Sequence, residues 1–204
     1  CSFGETLTPV EKRDYHAYAL GWMYRQSDLV SAFGRAQLSK LNDYLKIQEE
    51  NASVLTEEIK GIPGLLLPFE PAGHKHNWYN YTVHTDGSPY GFGDRQAAFR
   101  NAVLTALRAE GVTCGIWQSF ILPAMTVFQA QNAYGKGCPW NCPNAEKVVY
   151  RAEDYPVAQK HCDTHFGMTE PLRAPNRTKV AKLVGTAFRK VFENISQLNI
   201  YKQD

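Results

Sequence analysis

Two cysteines and a following histidine–cysteine group are the side chains best placed by spacing to do chemistry in this sequence. Cys138 and Cys142 stand with three residues between them, and His161-Cys162-x-x-His165 follows after eighteen residues. Pairs at these intervals suit a tetrahedral structural zinc site, although the stretch between the pairs is long for one. The other reading is a reduced cysteine loop tucked in by Pro139 and Trp140. Lys136, between Gly135 and Gly137, is placed for a phosphate or carboxylate, or is simply a solvated loop lysine. Tyr24 and Arg25 offer a hydroxyl and a fixed cation to an anionic group. Arg25 equally suits pairing with a helix end or an aspartate. Cys1 could serve as an N-terminal nucleophile only with a base beside it, and the neighbouring residues offer none.

The composition narrows the field. The chain has 204 residues, 44% of them hydrophobic and 12% aromatic, enough to bury one core. Lys and Arg total 22 against 20 Asp and Glu, with no basic run, so nucleic-acid binding is a poor expectation. The longest apolar stretch, Ile62 to Phe69, is short and interrupted by Pro63 and Pro68, so nothing reads as a membrane span. Five cysteines at irregular intervals fit a reducing compartment better than a disulfide scaffold, and a cytoplasmic location is expected. Four glycosylation sequons, at Asn51, Asn80, Asn176 and Asn194, pull the other way. Three of them fall inside predicted helices or strands. The opening Cys1-Ser-Phe-Gly-Glu, with no initiator Met or leader, reads as a processed or separately produced fragment.

The elements that must position these groups follow from periodicity. Ser27 is a good N-cap and Asp28 complements the helix dipole. From there Leu29, Val30, Phe33, Leu38, Leu41, Leu45, Leu55 and Ile59 recur at helical spacing, predicting one long helix over 27–60 that stops at Gly61 and Pro63. Trp78 to His84 reads as a strand, 94–110 as a helix closed by Gly111, and Val112 to Phe120 as a second strand. A short helix is expected over 124–131, another opening at Tyr155-Pro156, and a third strand over 166–172. The last helix is predicted over 176–196, capped by Asn176, with Val180, Leu183, Val184, Ala187, Phe188, Val191 and Phe192 inward. Helices alternating with short strands predict an α+β layer structure. Three parts are expected: 1–26, the connecting helix 27–60, and an α+β domain over 61–204.

An ordered set of motifs runs through these parts. Gly21, Tyr24, Arg25, Ser27, Leu29, Ala32, Gly34, Ala36, Gln37, Leu38 and Leu41 fit a loop followed by a helix of the form Leu-x-Ala-Ala-x-Gly-x-Ala-Gln-Leu-x-x-Leu. Ile62-Pro-Gly, His76-Asn-Trp-Tyr-Asn-Tyr, Leu107-Arg-Ala-Glu-Gly-Val, Trp117-Gln118, Gly-Lys-Gly-Cys-Pro-Trp-Asn-Cys and Tyr155-Pro-Val-Ala follow in order. Together they resemble the DegT–StrS family of sugar-type aminotransferases of fold type I, in its C-terminal portion only. The resemblance implies a small C-terminal α+β domain with a short antiparallel or mixed sheet flanked by helices, led by the long helix.

It also implies pyridoxal 5'-phosphate, held in members as a Schiff base on a lysine well upstream of the Gly21–Ser27 loop. Lys12 is too close to that loop to be its counterpart, so the lysine is expected on a partner chain, within a hetero-oligomer built on a dimer. The cofactor-side loop would be Met23, Tyr24 and Arg25. Met23 stands where members carry an asparagine and cannot donate a hydrogen bond. The substrate side would hold His16, Trp22, Trp117, Gln118 and Lys136, facing a keto-sugar, a cyclitol or a secondary-metabolite precursor. The expectation is thus one subunit of a split transaminase, inactive alone. The alternatives are an inactive partner or regulatory module of an aminotransferase homologue, or a zinc-binding structural protein.

Overall fold

The computed structural model describes residues 26–198. His16, Trp22, Met23, Tyr24 and Arg25 therefore lie outside the described residues. The chain divides into two compact units, Cys1–Asp43 and Tyr44–Asp204.

In the first unit, helix α1 (Asp28–Leu38) begins as expected, with the Ser27 hydroxyl accepting from the Val30 amide at 3.5 Å and Asp28 in the first turn. None of its residues is buried. The long helix expected over 27–60 is in fact two, α1 and α2 (Leu41–Ile59). The apolar periodicity runs through the junction, but the hydrogen bonds change there. The Lys40 amide donates to Gln37 three residues back, at 3.0 Å, while the Ser39 hydroxyl donates to the Ala36 carbonyl at 2.9 Å. A serine that satisfies carbonyls of the last turn lets the chain leave the helix at little cost.

The second unit is α+β. Strands β1 (Leu65–Leu66), β2 (Tyr81–Thr85) and β3 (His165–Met168) form an antiparallel sheet in that order. Around it lie α3 (Gln96–Ala109), α4 (Thr126–Ala130), α5 (Pro156–Thr164) and α6 (Thr178–Glu193). Tyr81 pairs with Met168 and Val83 with Phe166, so these four share the face turned to the core, where each is at most 1% exposed. Phe166 stacks on Phe188 of α6 at 6.1 Å, and Phe99 of α3 stacks with Tyr90 and Phe92. Ala52, Leu55 and Ile59 bring the second half of α2 into the same core. Gly185 lets α6 come close to α2, since a Cβ there would lie 2.5 Å from the Cβ of Glu58. Asn51, carrier of the first sequon, is 1% exposed and donates to the carbonyls of Leu172 and Asn176, so it presents no acceptor for a glycan.

Several sequence expectations need correction. The strand expected from Trp78 starts at Tyr81, because Trp78 adopts a left-handed backbone (φ 53°) that no strand accommodates. The strand expected over 112–120 is reduced to one bridge, Gly115 with Gly167, beyond which Trp117 and Phe120 are exposed. The strand expected over 166–172 ends at Met168 and gives way to a 3₁₀ turn at Glu170–Leu172 that contains Pro171. The short helix expected over 124–131 is confined to α4, stopped by left-handed Gln131. The last helix starts at Thr178 with Arg177 at its cap, because the Asn176 side chain instead donates to the Glu170 carbonyl at 3.0 Å. Leu183 does not face the core and is 60% exposed.

Candidate functional site

The described candidates sit in three different neighbourhoods. Trp117 is exposed and lies 6.4 Å from the Tyr79 ring, whose face also receives the Arg173 guanidinium at 4.7 Å. Gln118 borders an apolar cavity of about 830 Å³ between the Phe120–Pro123 segment and the start of α5. Lys136 is exposed at the tip of the 135–137 turn, with a left-handed backbone and its carbonyl accepting from the Asn141 side chain.

Near that loop, Phe128, Trp140 and Tyr150 form a cluster with centroid distances of 5.4–6.4 Å, and the Trp140 indole donates to the Tyr150 hydroxyl at 2.9 Å. These rings wall a cavity of about 500 Å³ bordered by Gln129, Glu146 and Lys147. Lys136 thus stands on the loop whose Trp140 helps line this cavity.

The zinc reading is not supported by the geometry. Among the described residues, no group of three His, Cys, Asp or Glu side chains is arranged to hold a metal ion. Cys138 and Cys142 face each other across their own loop, with Sγ atoms 4.0 Å apart. His161 and His165 instead join His84, a residue the sequence reading passed over. His84 and His165 are direct partners across β2 and β3, on the face away from the core, and α5 lays His161 over them. The His161 and His165 rings stack at 4.1 Å, and His84 meets His161 edge-on at 5.0 Å.

The hydrogen bonds fix the protons of this cluster. The Thr164 hydroxyl donates to the Lys160 carbonyl, so it accepts from His84, which places the His84 proton on Nδ1. His165 Nδ1 likewise donates to the His161 carbonyl, leaving its buried Nε2 without a protein partner. Beside them a cavity of about 560 Å³ has Leu66 and Val157 in its wall along with the polar side chains of His84, Asp86, Gln96 and Lys160. The Asp86 carboxylate accepts from the Ser88 amide and the Gln96 side chain. The Ser88 hydroxyl first, and then these bonds, hold it below the usual carboxylate range. This arrangement can bind and orient a small polar molecule. Alternation along β2 was the available sign, since it puts His84 on the face opposite Tyr81 and Val83.

Burial holds both His84 and His165 below the ordinary imidazole value, His84 with help from the neighbouring His161 charge. The neutral rings therefore favour the fold. Below about pH 6.5 the unfolded chain takes up protons that the folded rings refuse, so stability is complete above that pH and is lost as pH falls toward the lowered folded values. Thermal unfolding is expected to move to lower temperature between about pH 7 and about pH 5. His165→Gln should flatten that slope, and an equal slope in this variant would count against the cluster as its source.

Comparison with known proteins supplies the family. The profile of the DegT/DnrJ/EryC1/StrS aminotransferase family matches residues 3–166. The spore coat polysaccharide biosynthesis protein SpsC of Bacillus subtilis is 31% identical over 96 residues, covering 47% of this chain and 23% of its own. The UDP-N-acetyl-3-dehydro-alpha-D-glucosamine 3-aminotransferase of Acidithiobacillus ferrooxidans is 27% identical over 143 residues, covering 70% of this chain and 34% of its own. The chain thus spans about a quarter to a third of the length of these relatives. The fold is similar to S. venezuelae DesV, with a TM-score of 0.68 at 16% identity over 90% of this chain and 41% of that one. It is also similar to 3-amino-5-hydroxybenzoic acid synthase, with a TM-score of 0.62 at 16% identity over 90% of this chain and 44% of the other. With the ordered motifs, the sheet and the profile in agreement over most of its length, the chain belongs to the DegT/DnrJ/EryC1/StrS aminotransferase family.

Proposed function

We propose that this chain is the C-terminal small-domain part of a pyridoxal-phosphate-dependent aminotransferase whose cofactor-binding lysine is carried by a partner chain. The observation that carries the reading is the apolar stripe of α1. Leu29, Val30 and Phe33 fall on one side of that helix and are 81, 51 and 67% exposed. Such a surface marks a site for another polypeptide. Its occupant is the lysine-bearing large domain, because the family loop leads directly into this helix.

The lysines point the same way. One that holds a cofactor covalently belongs inside a shielded pocket, where desolvation tunes its reactivity. Every described lysine is exposed. By themselves the described residues therefore do not supply such a lysine, which supports a pocket completed from outside them. Among acceptors, a nucleotide-linked keto-sugar is favoured, since one relative is named for a UDP-linked dehydro-sugar. A cyclitol or a secondary-metabolite precursor would suit the same family. Met23, where members carry asparagine, favours a second reading as an inactive partner of an aminotransferase homologue.

The test is copurification of the tagged chain from its native host with an absorbance scan of the eluate. A second polypeptide together with a violet-edge band bleached by borohydride supports the split transaminase. A complex that binds its partner without changing turnover supports the second reading. A lone, colourless, monomeric chain overturns both.

A further inference from the structure

The structure assigns to Cys138 and Cys142 a modification site of their own: a dithiol that closes reversibly to an intraloop disulfide by exchange with a small-molecule disulfide such as oxidised glutathione. This goes beyond the transaminase reading and does not depend on it.

The geometry is already close to that of the product. The two Sγ atoms lie 4.0 Å apart, against about 2.05 Å in a disulfide. The backbone that carries them is held by its own hydrogen bonds. Cys138 donates to the Gly135 carbonyl at 3.0 Å, Asn141 to Gly137 at 3.0 Å and Cys142 to Pro139 at 3.2 Å. On either side, the Ala133 amide donates to the Cys138 carbonyl and the Ala145 amide to that of Cys142. Neither thiol has to be carried in from another element. Trp140, between them, is fixed by its bond to the Tyr150 hydroxyl.

Access separates this pair from the other described cysteines. Cys114 and Cys162 are buried, at 8 and 5% exposed, whereas Cys142 is exposed and Cys138 half-buried. Burial and the adjacent Cys142 sulfur push the Cys138 thiol up. Cys142 is the more exposed of the two and so the better placed first nucleophile.

The exchange balances in two steps. The Cys142 thiolate attacks one sulfur of the small disulfide, forming a mixed disulfide and releasing one thiolate. The Cys138 thiolate then attacks Sγ of Cys142, forming the Cys138–Cys142 bond and expelling the second thiolate. Two protein thiols are oxidised, one disulfide is reduced to two thiols, and the protons lost by the cysteines end on those thiols. Closure would stiffen the loop that presents Lys136 and the Trp140 wall of the neighbouring cavity.

Trypsin isolates the pair, because cleavage after Lys136 and Lys147 places both cysteines in peptide 137–147. The full chain is equilibrated across ratios of reduced to oxidised glutathione, quenched with an alkylating agent and digested. The expected result is a passage from two labels to none in a single transition, reversed by dithiothreitol. Cys138→Ser, shown to be folded by circular dichroism, should stop at one glutathione on Cys142. A peptide that keeps both labels at the oxidising end, or that collects one or two glutathiones in the unsubstituted chain, overturns the assignment.

Discussion

Arg100→Met is expected to lower the stability of the chain by at least about 3 kcal/mol, read as a fall in melting temperature of about 6–12 °C. Arg100 is 6% exposed, and Nη1 donates to the carbonyls of Cys162 at 2.8 Å and His165 at 2.9 Å. Those carbonyls belong to the last turn of α5 and to the first residue of β3, where a helix end leaves acceptors without partners. The guanidinium satisfies both and sits favourably at the negative end of the helix. Nε is bound by the Asn101 side chain at 2.8 Å, so the group is oriented as well as charged. Methionine keeps much of the length and removes every donor, leaving two buried carbonyls unpaired. Arg100→Lys should recover part of the loss by serving one carbonyl. A methionine variant that melts within about 1 °C of the parent would show that the clamp contributes nothing.

Arg100 also shows where reading the sequence reaches its limit. Helical spacing puts Phe99, Val103, Leu104 and Leu107 on one face of the helix expected over 94–110, and all four are buried. The same periodicity treats a charged residue beside Phe99 as a solvated one. Only the arrival of α5 and β3, far along the chain, explains why an arginine is wanted there. The helices α3, α5 and α6 and the α+β class were legible because an apolar stripe and a start or stop signal are local facts. The strands were less so. Trp78–His84 and Val112–Phe120 have similar aromatic and branched character, yet only the first found an edge along more than one residue pair. Pairing is decided by the partner and not by the segment. The break at Ser39 was hidden because hydrophobic spacing continues through it.

Site legibility followed the same division. Spacing grouped His161 and His165 with Cys138 and Cys142, because spacing in sequence is all that a metal motif displays. The fold put the histidines against His84 and kept the cysteines within their own loop. The ordered family landmarks were legible as a set, since each needs only a few residues in the right order. The roles expected of His16, Trp22, Met23, Tyr24 and Arg25 lie outside the described residues and rest on the resemblance.

Phe33→Glu is expected to separate folding from assembly. Phe33 is 67% exposed, and α1 buries none of its residues, so the substitution should leave the unfolding of the isolated chain within about 0.5 kcal/mol. If the stripe of Leu29, Val30 and Phe33 docks on the lysine-bearing partner, the buried carboxylate loses its water with nothing to pair it. An aromatic anchor at the centre of an interface is worth about 2 kcal/mol or more, so affinity for the partner should weaken by about 30-fold or more. Ser31→Glu adds the same charge about 200° further round the helix and serves as the control. It should bind as the parent does. Titration of the copurified partner against the three chains, with melting curves of each chain alone, reads both quantities. Equal affinity in all three chains would remove the α1 stripe from the interface, and with it the main support for a completing partner at that face. Equal loss in both variants would show a general intolerance of charge rather than a buried anchor. Loss in Phe33→Glu alone, with unfolding unchanged, is the pattern that a large-domain partner seated on α1 requires.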